Sequence, residues 1–285
     1  MTNSLFDTFI HEKEYLDRVS INTIRSYRDA FKALERYGNH PLTSAGAKAF
    51  VIACVEAGLS PRTVNSWASA INSFFTWAHA NNHLPERHRV PRQKTAKRVL
   101  LTYTPDEVSR IVNHKPKSRT GKRIMAILHL LIDTGCRINE ALTLTRDRVD
   151  LDNLLVTLQG KGNKERRVPI SLTCRASLFR CLSSHPHPLV FSTRDGHKLS
   201  YNNIRRDFRV ILRACKVEKS EGSFHAFRRY FGKQYLRNGG SAPYLQRVFG
   251  HTSLAMVNRY VEADDDDLSL AHKRLSPLEA ARSKR

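Results

Sequence analysis

The chain has 285 residues, an apolar fraction of 40% and a formal charge of +22 at neutral pH. That is enough apolar material for two packed domains, which excludes a globally disordered chain, and no apolar run reaches the roughly 18 residues that span a bilayer. The five cysteines (Cys54, Cys136, Cys174, Cys181, Cys215) are odd in number and form no C-x-x-C pair, which excludes a disulfide framework or a cysteine-based zinc site.

The first 84 residues carry eight Lys/Arg against seven Asp/Glu and read as a small helical domain. The opening MTNSLFDTFIHEKEY lacks the basic-then-apolar layout of a signal peptide, so a cytoplasmic location is expected. Ser20 caps a helix whose apolar residues Ile24, Tyr27, Phe31 and Leu34 recur at helical spacing. A second helical stretch, about 43–57, ends at Gly58, and Ser60-Pro61 starts a third with cap and proline in their favoured places. Trp67, Phe74, Phe75 and Trp77 suit base stacking in principle, but their spacing is that of a buried helix face in a four-helix core.

Residues 85–104 break the helical pattern with Pro85 and Pro91 and hold six cations, Arg87, Arg89, Arg92, Lys94, Lys97 and Arg98, against one acid. They read as a basic interdomain linker that crosses a DNA backbone, since so many like charges repel unless phosphates screen them. Residues 105–263 carry a further 29 cations against 13 acids, whereas 264–285 balance at five each. A cation excess confined to the linker and second domain points to a polyanion met there, and nucleic acid is the usual one.

The second domain opens at Thr104-Pro105-Asp106-Glu107, a cap followed by proline and two acids at the positive end of a helix. An apolar helix over 124–134 stops at Gly135, and a short helix follows in CRINEALTL. Residues 154–159 and 166–170 read as a hairpin around the 160–164 turn. Helical patterns then recur at about 171–183, 200–215, 225–238, 242–249 and 253–262. Beyond the acidic run Asp264–Asp267, Leu268, Ala271, Leu275 and Leu278 form an apolar stripe, a tail helix that folds back on its own domain or docks on a neighbouring copy.

Six polar residues in this domain carry the chemistry: Arg137, Lys161, His225, Arg228, His251 and Tyr260. Arg137 follows Gly135-Cys136 at a helix start, and Glu140 stands one turn on, placed to orient it. Lys161 lies between two glycines at the hairpin tip, where most lysines are merely solvated. His225 and Arg228 share a helix face. His251 follows the helix-ending Gly250, and Tyr260 stands nine residues further on. Cations and imidazoles of this kind suit a phosphate that gains negative charge as a phenol attacks it. A zinc site built on the histidines is disfavoured, because Arg228 repels a divalent ion and cysteine ligands are absent nearby.

The strings TGCRINEALTL, GKGNKERRVPI, HAFRR and LQRVFGHTSLAMVNRY, with spacings of 24 (137 to 161), 26 (225 to 251) and 9 (251 to 260), resemble the motifs of the tyrosine recombinases, the Xer and phage-integrase superfamily. The resemblance covers nearly the whole chain. It implies a mainly α fold with a small β-sheet: a helical, SAM-like core-binding domain (1–84), the basic linker (85–104), an α+β catalytic domain (105–263) and a C-terminal tail helix (264–285). It implies further that Arg137 and Arg228 hold the scissile phosphate, Lys161 protonates the leaving 5′ oxygen with His225 assisting, His251 bonds the phosphate and Tyr260 is the nucleophile. Glu140 matches the acid that supports the first arginine. Lys164 and Arg166, beside the hairpin tip, join the linker cations as DNA-contacting residues. Two departures are Arg229, where many relatives have histidine or threonine, and Asp264–Asp267, which has no family explanation.

The function so implied is metal- and ATP-independent breakage and rejoining of DNA at specific sites through a 3′-phosphotyrosine, with no cofactor. The partners are double-stranded recombination sites, further copies of the chain in a tetrameric synapse, and an accessory DNA-bending protein; no membrane is involved. Integration or excision of a mobile element is the favoured setting, with chromosome or plasmid dimer resolution as its alternative. Competing readings are a type IB topoisomerase and a catalytically inactive DNA-binding protein on the same fold.

Overall fold

The computed structural model describes residues 2–38, 42–95, 102–160, 162, 164–217, 224–251 and 253–257, with His272, Ser276 and Leu278. The chain divides into two compact units, Met1–Val99 and Leu100–Arg285. The whole is mainly helical with one small antiparallel sheet. No described helix is long and apolar enough to cross a membrane.

The first unit holds α1 (Thr2–Tyr15), α2 (Ile21–Tyr37), α3 (Ser44–Glu56) and α4 (Pro61–Ala80). Ser20, Thr43 and Ser60 each accept a backbone N–H of the first helical turn, satisfying a donor that the helix itself leaves orphaned. Phe6 stacks on Phe31 at 4.0 Å, while Phe9 meets Phe31, Phe74 and Trp77 edge-on. These rings are buried, so the aromatic face of α4 is core, as its periodicity predicts.

The basic segment after α4 is extended, and residues 85–95 lie along α4 as a strap. Asn65 and Asn72, two turns apart, each pair with a backbone amide in both directions. Asn72 bonds the carbonyl and N–H of Val90 at 3.1 and 2.7 Å; Asn65 bonds those of Gln93 at 2.9 and 2.8 Å. Val90 is fully buried beneath, leaving Arg87, Arg89, Arg92 and Lys94 on the exposed side. Arg92 donates to Ser69 and Arg87 to Thr76, which tie these two cations to the helix. Lys97 and Arg98 lie outside the described residues.

In the second unit α5 (Pro105–Val112) starts with a capping box between Thr104 and Glu107. The central element is α6 (Arg119–Thr134), where Ile124, Ile127, Leu128, Leu130 and Leu131 are all buried; such a helix is covered on nearly every side. Helices α8 (Leu172–Ser183), α9 (Tyr201–Ala214) and α10 (Phe224–Arg237) pack against it. Strands β1 (Val149–Asp150), β2 (Leu155–Gln159) and β3 (Glu165–Pro169) form the sheet in that order, with Thr157 opposite Arg167. The short β1 and the 3-10 turn Arg146–Arg148 before it were not legible in the pattern. The helix expected over 253–262 begins as a 3-10 turn, Leu254–Met256; residues 258–262 lie outside the described set, as does the tail stripe apart from an exposed Leu278.

Candidate active site

Three chain breaks in regular structure meet at one point: the end of α6, the start of α7 (Ile138–Leu142) and the end of α11 (Ala242–Phe249). Gly135 ends α6 in the left-handed conformation, with φ of 60°. A Cβ there would stand 2.6 Å from Phe249 and 2.7 Å from Phe231, so backbone conformation and close packing both call for glycine. Gly250 ends α11 the same way, φ 62°, and turns the chain so that His251 faces back.

Arg228 is the hub. Though charged, it is only 3% exposed. It donates to the carbonyls of Gly135 at 2.7 Å and Phe249 at 2.9 Å, and its guanidinium lies 3.8 Å from the centre of the Phe249 ring. It also meets His251 Nε2 at 3.0 Å. Arginine can only donate, so that nitrogen of His251 carries the lone pair and the ring proton sits on Nδ1. Gln246 holds the His251 carbonyl at 3.1 Å.

Glu140 organises the second arginine. Its Oε1 accepts from the Arg137 side chain at 2.9 Å and its Oε2 from the Arg137 backbone N–H at 2.7 Å, closing the first turn of α7. Arg166 grips the same carboxylate from β3 through two bonds of 3.0 and 2.8 Å, and its Nε donates to the Val248 carbonyl at 2.7 Å. Burial opposes ionisation of Glu140. The bonds from Arg166 and Arg137 overcome it, holding the pKa below the ordinary carboxylate range. Glu140 and the Arg166 side chain are 5% and 11% exposed, whereas the Arg137 side chain keeps 35% open to solvent.

His225 stands one turn before Arg228 on α10 with much of its surface exposed. Partial desolvation of the ring and the charges of Arg228, Arg229 and Arg137 together lower its pKa, which favours the neutral ring. Cys136, wholly enclosed beside this cluster, is pushed up to about 12 by burial and is no nucleophile.

Arg137 and Glu140 thus form one hydrogen-bonded set and Arg228 and His251 a second. The two are anchored on neighbouring carbonyls at the end of α11, Val248 through Arg166 and Phe249 through Arg228, with His225 alongside. Lys161 and Tyr260 lie outside the described residues. Lys164 is exposed on the hairpin. Arg166, grouped by sequence with the DNA-contacting cations, is instead turned inward, and its role in holding Glu140 was missed. A signal existed: Arg166 is two residues from the buried Val168 and shares its strand face. Among the described residues no group of three or more His, Cys, Asp or Glu is arranged to hold a metal ion.

Arginines and imidazoles gathered in one place are the equipment of a protein that handles phosphodiesters. Residues 102–267, more than half of the chain, match the Phage integrase family, and the chain belongs to that family. It is 26% identical to the tyrosine recombinase XerC of Xanthomonas campestris pv. campestris (strain B100), covering 97% of this chain and 89% of that one. Two solved structures share the fold. The Tn1549 transposon integrase in complex with transposon right end DNA aligns with a TM-score of 0.77 at 18% identity, covering 95% of this chain and 98% of that one. XerH bound to its difH substrate in a pre-cleavage complex aligns at 0.71 and 18%, covering 93% and 82%.

Proposed function

We propose that this chain is a site-specific DNA recombinase that cuts and rejoins strands through a 3′-phosphotyrosine. The observation that carries the reading is the Arg228 hub tied to His251, beside Arg137 set by a doubly gripped Glu140. Arg137 and Arg228 hold the non-bridging oxygens of the scissile phosphate, and His251 hydrogen-bonds it. Tyr260 attacks phosphorus as the bond to the 5′ oxygen breaks, and Lys161, assisted by His225, protonates that oxygen.

A phenol with pKa near 10 is about a thousandfold protonated at neutral pH, so it needs a strong positive field or a base. Each preorganised donor aimed at the developing charge is worth roughly 3–4 kcal/mol. The ester energy stays in the phosphotyrosine, so a second hydroxyl religates the strand without ATP. Exchange between two duplexes takes four such sites, hence a tetramer on DNA, with an accessory DNA-bending protein as a further partner in the cytoplasm. The helical first unit, SAM-like in this reading, and the exposed face of the strap grip the duplex through Arg87, Arg89, Arg92 and Lys94, joined by Lys97 and Arg98. Lys164 adds a contact from the hairpin.

The fold shared with a transposon integrase supports integration or excision of a mobile element. The near full-length likeness to XerC supports a second setting, resolution of chromosome or plasmid dimers. Direct repeats flanking the gene would mark the first; their absence beside a replication-terminus-like site would mark the second. Tyr260→Phe tests the chemistry: covalent DNA adducts vanish while binding persists. Supercoil relaxation by a monomer without recombinant products would instead identify a topoisomerase.

A further inference from the structure

The first half of α6 walls a second concavity, remote from the residues above. Together with the segment after α5, the end of α8 and residues 185–192, it encloses a cavity of about 500 Å³, a size that suits a small organic molecule. Arg123 lies on this wall, twelve residues before Gly135 on the same helix, or about 18 Å along its axis. The cavity therefore does not belong to the active site.

Its lining is lopsided. Lys115, Arg119, Lys122, Arg123 and Arg180 contribute five cations, and no Asp or Glu lines it. Beside them Met125, Ala126 and Val190, all buried, supply an apolar wall. Arg123 is the informative member. Half-buried, it donates through NH1 to the Ser192 carbonyl, but its Nε–H finds no partner, and it makes no ion pair among the described residues. Burial lowers its pKa; the charge of Asp207 opposes that effect and Arg119 adds to it.

Ser192 beside it is short of an acceptor too. The hydroxyl of Ser192, a residue only 2% exposed, has no hydrogen-bond partner and can donate to the same acceptor, whereas His185 donates from Nε2 to the Val190 carbonyl and its Nδ1 is an acceptor that an anion does not satisfy. Buried polar groups are costly to leave unpaired, and a half-buried guanidinium that makes no ion pair more so. The Nε–H of Arg123 and the hydroxyl of Ser192 are thus unpaired donors on residues lining one cavity. An anion held there supplies what Arg123 lacks, and the adjoining wall demands an apolar body.

We infer that this cavity is a binding site for a small amphipathic anion, an organic phosphate or carboxylate with a compact apolar body, paired to Arg123. A duplex backbone tracks an open surface and does not enter an enclosure of this size. The inference is independent of the strand-transfer reading, since it needs neither Arg137 nor Tyr260.

Titration of the full chain with naphthyl phosphate, followed by calorimetry, tests it. One molecule should bind per chain, and naphthol or inorganic phosphate should each bind at least about tenfold more weakly. Arg123→Met, which keeps volume and loses charge, should weaken binding about tenfold or more, the scale of a lost charge-assisted bond. Lys122→Glu, on an exposed rim residue, should weaken it without touching the core. Arg137→Ala, at the active site, should leave it unchanged. Unaltered affinity in Arg123→Met, loss of binding in Arg137→Ala, or inorganic phosphate binding as tightly as the naphthyl ester would each overturn the assignment. So would displacement of the probe from the Arg137→Ala chain by a short duplex.

Discussion

Arg166→Ala removes three hydrogen bonds at once. It leaves Glu140 buried with a single guanidinium partner, Arg137, and strips the Val248 carbonyl of its donor. Taking away one member of a buried ion pair costs about 3–5 kcal/mol, mostly because the other charge stays behind uncompensated. That is a large part of the roughly 5–15 kcal/mol that holds a typical domain together, so a folded chain with a much lower urea midpoint is expected. The catalytic effect is separate. Freed on one side, Glu140 no longer fixes the Arg137 side chain, and a displacement of about 1 Å at a phosphate clamp costs on the order of a hundredfold in rate.

The assay is single-turnover cleavage of a nicked suicide duplex at saturating protein, corrected for the folded fraction. Arg166→Lys should recover little, since an ammonium cannot fork to both carboxylate oxygens and reach Val248 as well. A cycle with Glu140→Gln should give a coupling of about 1–3 kcal/mol. The pH signature follows from the depressed pKa of Glu140. Its contribution to stability is complete above the ordinary carboxylate range and is lost as pH falls through the lower, folded value; Arg166→Ala should shrink that contribution. Cleavage by Arg166→Ala within twofold of the parent, with unchanged urea midpoint, would refute the claim that Arg166 positions this site.

Gly135→Ala places a methyl against Phe249 and Phe231 at a left-handed residue, displacing the carbonyl that anchors Arg228. A loss of about 1–3 kcal/mol by urea titration and a fall in cleavage beyond the loss of folded chain should follow. Because the pKa of His225 is lowered from its ordinary value, the acid limb of cleavage should have its midpoint below that of a free imidazole. His225→Asn should lower the plateau and remove that acid limb; an unchanged limb in pre-steady-state rates would assign it elsewhere. Replacing Asn65 and Asn72 together by Ala unfastens the strap. Binding to any duplex should weaken severalfold and lose some of its salt dependence, because the cations no longer hold a fixed register; filter binding across a salt series reads this.

Local chemistry was legible in the sequence. Ser20, Ser60-Pro61, Thr104 with Glu107, and Gly135 announce helix ends through side chains that act within four residues of their own position. The buried face of α4 and the β2–β3 hairpin follow from periodicities of 3.6 and 2. Residues 85–95 look like a tether because what pins them lies 18 and 28 positions away, in the amides of Asn72 and Asn65, and local pattern carries no trace of such pairings. Arg166 misled for a related reason. In a chain of net charge +22 one more cation reads as a DNA contact, until the strand alternation beside Val168 turns it inward. Arg137, Glu140, Arg228 and His251 could be nominated from motif spacing; that Arg228 is buried and hung on two backbone carbonyls could not. Those carbonyls come from helix ends far apart in sequence, and only tertiary packing brings them together.

The most direct measurement is to trap the chain on a labelled, nicked suicide oligonucleotide, digest the adduct and locate the label by mass spectrometry. The expected result is a single labelled peptide spanning position 260, with the nucleotide esterified to the Tyr260 phenol and no adduct in Tyr260→Phe. Label on any other residue, or an undiminished adduct in the Phe variant, would contradict strand transfer by this tyrosine.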